Sequence, residues 1–334
     1  MKVGLRYDMR APNLGPDSPP AAQLYEAAVE QCQWADKQGF DAVYLAEHHG
    51  ADDGFCPSPL VLGGAVAAGT ESLKLHFYAL CVTMHQPLRL AEDLAVLDLI
   101  AGPGRVLITA GIGYLPSEFE MFGIDYAQRA HVYEKNLQVL RRAWTEDEFD
   151  FDGRIVKVTP KPATPGGPTI YIGGNGKASA RRAARLGLGY RPATKELYEY
   201  FQDECARLGR PAPEPFPEHG PSFLFVTDDP ERSLHQLAPH LLQASNSYAR
   251  WGAQRGAGTT QGPWQEREGV EAVAADPNLW IVTPEEAVDR CRKFPPNYEL
   301  RLHPLLGGLP PSLSWQSLEL LARRVLPQLS QTTT

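Results

Sequence analysis

Residues 39–50 read Gly39-Phe-Asp-Ala-Val-Tyr-Leu-Ala-Glu-His-His-Gly50. The opening glycine stops an amphipathic stretch, 21–39, in which Leu24, Ala27, Ala28, Cys32 and Ala35 recur at helical spacing. Residues 41–47 then form a short apolar strand pattern, and 3–9, VGLRYDM, form another ahead of the helix. Strand, helix, strand within fifty residues is the repeating step of an α/β fold. The second strand ends in an acid and two adjacent imidazoles. Neighbours on a strand point to opposite sides, so only one of His48 and His49 can face a given pocket.

The alternation continues outward. Strand patterns fall at 73–82, 104–113, 168–174, about 188–192, 222–228 and 298–304. Helix patterns fall near 58–69, at 87–102 with proline first and glycine last, and at 130–145, 177–187, 194–209, 230–252 and 312–329. Residues 147–160 suggest a hairpin turning on Asp152-Gly153. Eight strands alternating with helices predict an α/β chain folded as a (β/α)8 TIM barrel, one domain over 1–334. A doubly wound open sheet is the competitor, but its glycine-rich turn after the first strand is missing. The Gly-rich polar stretch 252–280 interrupts the pattern and reads as a long insertion loop, either a lid or a surface excursion.

Bulk properties narrow the function. The 334 residues carry a net charge of −8, which gives no electrostatic footprint for nucleic acid. No run of 18 apolar residues predicts a membrane span, and the N-terminus lacks a signal-peptide pattern. Five scattered cysteines without a CxxC fit the reducing cytoplasm.

In a barrel of this kind the chemistry sits where the strands end. Those ends offer Tyr7, Asp8 and Met9; Glu47, His48 and His49; Tyr78, Ala79, Cys81 and, beyond it, His85; Gly111, Gly113 and Tyr114; and Gly173, Gly174, Asn175 and Gly176. Residues 173–185, GGNGKASARRAAR, lead a glycine-rich turn straight into a helix with Ser179 in its first turn. Free N–H groups and the helix dipole suit a phosphate there, although Asn175 or Ser179 could instead cap the helix. His48-His49 has no HExxH or Cys/His partner at ligand spacing, so a metal site is not expected. No G-x-S-x-G marks a hydrolase nucleophile.

Taken in order, GFDAVYLAEHHG, QPLRLAEDLAVLDLIAGPGRV, GIGYLPSEFEMFGIDYAQR, TIYIGGNGKASARRAARLGLG, IVTPEEAV and SLELLARRVLPQL resemble the bacterial luciferase-like flavin-dependent monooxygenases over more than 300 residues. The resemblance implies the same barrel and reduced FMN, supplied by a separate flavin reductase. With O2 the flavin would form a C4a-hydroperoxide that oxidises a small organic substrate. His48 resembles the family's active-site histidine, with Glu47 and His49 flanking and supporting it. Tyr78-Ala79 falls where the family has a bulge with a non-prolyl cis peptide. Gly111, Ile112 and Gly113 match the segment beside the flavin; the luciferase has Cys and Arg at the first two, so light emission is not expected. Arg129, Gly174, Asn175, Gly176 and Ser179 match phosphate contacts. The 252–280 loop matches a mobile lid, from which Tyr248, Arg255 and Trp264 could face substrate. A branch of the family uses F420 for hydride transfer, and other members only bind flavin; both stand as alternatives. A homodimer through the helices near 58–69 and 87–102 is also implied.

Overall fold

A computed structural model of the protein describes residues 1–216, 218–254, 266–295 and 297–330. Seven strands form one parallel, curled sheet: β1 (Lys2–Tyr7), β2 (Ala42–Leu45), β3 (Lys74–Cys81), β4 (Val106–Gly111), β7 (Thr169–Gly173), β8 (Gly189–Arg191) and β11 (Glu299–Leu302). Their order is β11-β1-β2-β3-β4-β7-β8. The outward side chains Leu5, Val43, Leu75, Phe77, Ile108, Ile172 and Leu300 are each 0% exposed. They pack beneath a ring of helices that includes α1 (Ala21–Lys37), α2 (Pro59–Ala68), α3 (Pro87–Ala101), α5 (Arg129–Thr145), α6 (Lys177–Leu186) and α11 (Pro311–Leu320). Each such side chain contributes about 1.5–3 kcal/mol on burial, so this shell carries the fold.

Each helix runs back antiparallel to the strand before it, so helix N-termini gather at the C-terminal rim of the sheet. Local signals fix those starts. α3 begins with Pro87 while the Gln86 side chain accepts the Arg89 N–H at 2.7 Å. α10 (Pro284–Cys291) opens with a complete Thr283/Glu286 capping box.

The expected strand at 222–228, seventh in order, departs from the sheet. β9 (Phe223–Val226) pairs in parallel with β10 (Leu279–Val282), so the hydrogen-bonded ladder holds seven strands. β9 still lies beside β11, with α11 closing the gap; Ser317 Oγ accepts the Val226 N–H at 2.7 Å. β10 is a correction to the sequence reading, which expects loop through Trp280 and no strand at 279–282. The helix α8 (Pro230–Ala253) runs into that stretch, and α9 (Gly269–Ala274) and the start of β10 occupy its far side. Residues 255–265, including Arg255 and Trp264, lie outside the described residues. The hairpin is present: β5 (Phe149–Phe151) and β6 (Arg154–Val156) turn on Asp152 and Gly153, both at positive φ, 53° and 76°.

Between β3 and β4 the register slips at Ala79, so that Tyr78 pairs with Thr109 and Leu80 with Ala110. The Tyr78–Ala79 peptide is cis.

Candidate functional site

The rim of the sheet gathers two hydrogen-bonded histidine networks. His48, just past β2, is buried, and its Nδ1 lies 2.9 Å from Glu118 Oε1. Glu118 sits on α4 (Pro116–Met121), 70 residues away, and also accepts the His49 backbone N–H at 2.9 Å. With Nδ1–H donated to the carboxylate, Nε2 is left as the working nitrogen; it lies 3.4 Å from the Tyr114 hydroxyl. Phe55, Tyr114 and Trp251 enclose the ring at centroid distances of 4.9, 5.4 and 4.5 Å.

His49, past the end of β2 as well, diverges from His48. Its Nε2 donates to Glu47 Oε1 at 3.1 Å, and its ring lies against Phe122. His85 Nε2 reaches the same oxygen at 2.8 Å, and the Cys81 N–H donates to the other one. Burial works against ionisation of Glu47, but the bonds from His49, His85 and Cys81 outweigh it and hold its pKa down at about 2. Burial works against a charged His85 as well, yet Glu47 raises its pKa above the ordinary value. The expectation that Glu47 and His49 support His48 is therefore corrected. Glu47 instead clamps the end of β3, just past the cis bulge, to β2, while His48 is held by Glu118.

The phosphate-side residues lie on the rim at the starts of α5 and α6. α6 begins after Gly176 with no side-chain cap; the Ser179 N–H turns back to the Gly176 carbonyl at 3.0 Å, and the Lys177 and Ala178 N–H groups ahead of it face the helix start, where an anion would sit. Asn175 does not cap it; its Oδ1 accepts the Ala193 N–H at 2.7 Å. The Tyr190 hydroxyl steadies the turn through the Gly174 and Gly176 carbonyls at 2.7 and 3.3 Å. Gly174 has φ +119°, and a Cβ there would come within 2.6 Å of Ser179 Oγ. Arg129, at the head of α5, stacks over Tyr126 at 3.8 Å and donates to the Tyr126 carbonyl. Arg182 and Arg185 pair with Glu134 and so tie α6 to α5.

Along the strand ends, Tyr78, Ala79, Gly111 and Ile112 remain partly exposed. A Cβ on Gly111 would lie 3.1 Å from that of Ala79, and one on Gly113 would lie 2.8 Å from the Phe119 ring. These glycines keep the wall flat, which suits a planar ring. Tyr7 turns away from the site and donates to Gln31 Oε1 on α1 at 2.9 Å. Asp8 faces Arg10, a fully buried cation that sequence reading missed. Arg10 is sandwiched by Phe55, Tyr248 and Trp251 and bonded to Asp53. Among the described residues, no three His, Cys, Asp or Glu side chains group as metal ligands, and no helix is long and apolar enough to cross a membrane.

Comparisons with known proteins bear on the family and the fold. The family model for luciferase-like monooxygenases matches residues 7–294. The solved structure of monooxygenase RslO1 from Streptomyces bottropensis superposes with a TM-score of 0.75 at 26% identity, covering 98% of this chain and 99% of that one. The oxygenating component of 3,6-diketocamphane monooxygenase from Pseudomonas putida, solved with FMN, gives 0.74 at 19% identity and 98% coverage of both chains, which shows the shared fold. N-acetyl-S-alkylcysteine monooxygenase of Bacillus subtilis is 26% identical over 60% of this chain and 58% of its own length. F420-dependent glucose-6-phosphate dehydrogenase of Nocardia farcinica is 28% identical over 54% and 59%. The chain spans about half the length of the curated relatives it matches.

Proposed function

Because the chain belongs to the luciferase-like monooxygenase family, we propose that it is a flavin-dependent oxidoreductase that uses reduced FMN from a separate reductase, together with O2, to oxidise a small organic substrate. The observation that carries the reading is the placement on one rim of a carboxylate-oriented histidine, a flat glycine wall beside a cis peptide and an uncapped helix start. Arg129, Asn175, Gly176, Ser179 and the α6 N–H groups would hold the phosphate. Tyr78, Ala79, Gly111, Ile112 and Gly113 would border the ring, and Gly174 would shape the phosphate turn. Bound reduced FMN would supply the electrons that activate oxygen.

The chain's own residues do the rest. Glu118 fixes the His48 tautomer, so His48 takes or returns a proton at Nε2. Phe55, Tyr114 and Trp251 keep water from that nitrogen. Val61 on α2 and Val96, Leu99 and Ile100 on α3 expose apolar surface that supports a homodimer.

The test is an anaerobic titration with FMNH2 and, separately, with reduced F420, followed by oxygen. Tight FMNH2 binding with an oxygen-dependent, long-lived absorbance change supports the proposal. Binding of F420 alone, with no oxygen response, would replace it with hydride transfer, the alternative that the Nocardia relative brings.

A further inference from the structure

Inside the sheet, away from His48, the cations outnumber the acids. Arg6, Arg191 and Arg301 project inward from β1, β8 and β11 and stay partly exposed. Arg301 is satisfied: its Nε donates to Glu299 at 3.0 Å, and its guanidinium lies over Tyr44 and Tyr78. At the next level Arg10 faces Asp8 and Asp53. On the strands themselves three guanidiniums, Arg6, Arg191 and Arg301, thus share the nearby carboxylates Glu299 and Asp8, and the undescribed stretches contain no Asp or Glu.

The shortfall falls on the side of Arg191. Among the described residues it has no ion pair, and its buried Nε has no hydrogen-bond partner. Its guanidinium lies over the Tyr171 ring at 4.5 Å. Arg6 also has an unpartnered Nε, but it sits near Asp8, across the sheet from Arg191. His76 registers the excess charge. Burial first, and then Arg191 and Arg301, push its imidazole down to about 3, so it stays neutral and bonds Thr109 at 2.8 Å. A partly exposed guanidinium without an ion pair, lying over an aromatic ring, suits a planar ring bearing a single negative charge.

We propose that Arg191 is a specificity-determining residue of the flavin seat, selecting the reduced, singly deprotonated ring over the oxidised, neutral one. This rests on the flavin reading above. Two electrons and one proton convert the neutral ring to that monoanion, so a fixed cation favours the reduced side of the couple.

The experiment measures Kd for oxidised FMN and, anaerobically, for reduced FMN at pH 8. It uses the full chain as wild type, Arg191→Met and Arg191→Lys, and adds the midpoint potential of the bound flavin. Wild type should prefer the reduced form. Arg191→Met should weaken reduced-form binding about tenfold, a discounted value for a partly exposed charge, and leave oxidised FMN within about twofold. The potential then falls by about 30 mV, the two-electron equivalent of tenfold, and Arg191→Lys restores most of it. Equal wild-type affinity for the two forms overturns the proposal without any variant. So does an Arg191→Met protein that loses both affinities together, as a purely structural arginine would. A wild type that binds neither flavin nor reduced F420 overturns the flavin reading as well, whereas binding with an unchanged ratio overturns Arg191 alone.

Discussion

The same strands present two chemically opposite faces. Outward, Leu5, Val43, Leu75, Phe77, Ile108, Ile172 and Leu300 meet the helices with no exposure. Inward, one residue on, stand Arg6, Tyr44, His76, Thr109, Tyr171, Arg191 and Arg301, joined by hydrogen bonds and cation–ring contacts. A parallel sheet covered on both sides is normally apolar on both. Here the main core lies between sheet and helices, and the interior is left polar. The lesson is a division of labour: the outer face makes the fold, while the inner face and rim make the site.

Substitutions can break that division. His48→Ala should lower substrate turnover by about 10²–10⁴-fold, the usual range for a positioned acid or base, and lower the thermal midpoint less than an outer-face truncation, because the His49 N–H still partners Glu118. Phe77→Ala, on the outer face, should do the reverse and destabilise by about 3–5 kcal/mol in denaturant unfolding while the surviving folded protein keeps its kcat. If His48→Ala melts the protein as far as Phe77→Ala does, the two faces are not separable. Adding volume inside should cost less than removing it outside. A Cβ on Gly4 would sit 2.7 Å from the Ala42 carbonyl and the Tyr44 ring, so Gly4→Ala should cost about 1–3 kcal/mol by overpacking. Glu118→Gln keeps a hydrogen-bond acceptor but loses the charge, and should lower kcat by about tenfold. A shifted kcat–pH profile with an unchanged KM would mark it as positioning His48; a profile that keeps its shape would refute that role.

Much of this was legible in the sequence, for identifiable reasons. Helical spacing in 21–39 and the proline and glycine limits of 87–102 place α1 and α3 within two residues of their observed ends. The Asp152-Gly153 turn announces its hairpin because few other pairs accept two positive φ values. Glu118 was missed because α4 has only six residues, too few to show a period, and its partner is 70 positions away. β10 was missed because its four residues follow a glycine-rich polar stretch that reads as loop. The inner face did leave a signal that went unused. Alternating polar residues in LRYD, LKLHFY and ELRLH are out of place in strands expected to be buried on both sides, and they name Arg6, His76, Glu299 and Arg301.

The smallest expected effect tests the rim itself, through Glu47. Its folded pKa of about 2 lies below the ordinary glutamate value of about 4.3, so the stability it adds is present above that value and fades as pH falls toward 2. His85 is shifted the other way, raised by the same carboxylate. Its contribution is complete below the ordinary histidine value of about 6.5 and is lost as pH rises through its elevated folded pKa. Together they predict a stability plateau between those limits, its acid side set by the bonds from His49, His85 and Cys81 to Glu47 and its alkaline side by the Glu47–His85 contact. Glu47→Gln should flatten both shoulders of a stability–pH curve taken by chemical denaturation from pH 3 to 9, and His85→Gln only the alkaline one. Should Glu47→Gln leave the alkaline shoulder intact, His85 is not tied to Glu47 in solution. The clamp that joins the end of β3 to the His48 strand would then have to rest on His49 and the Cys81 N–H alone.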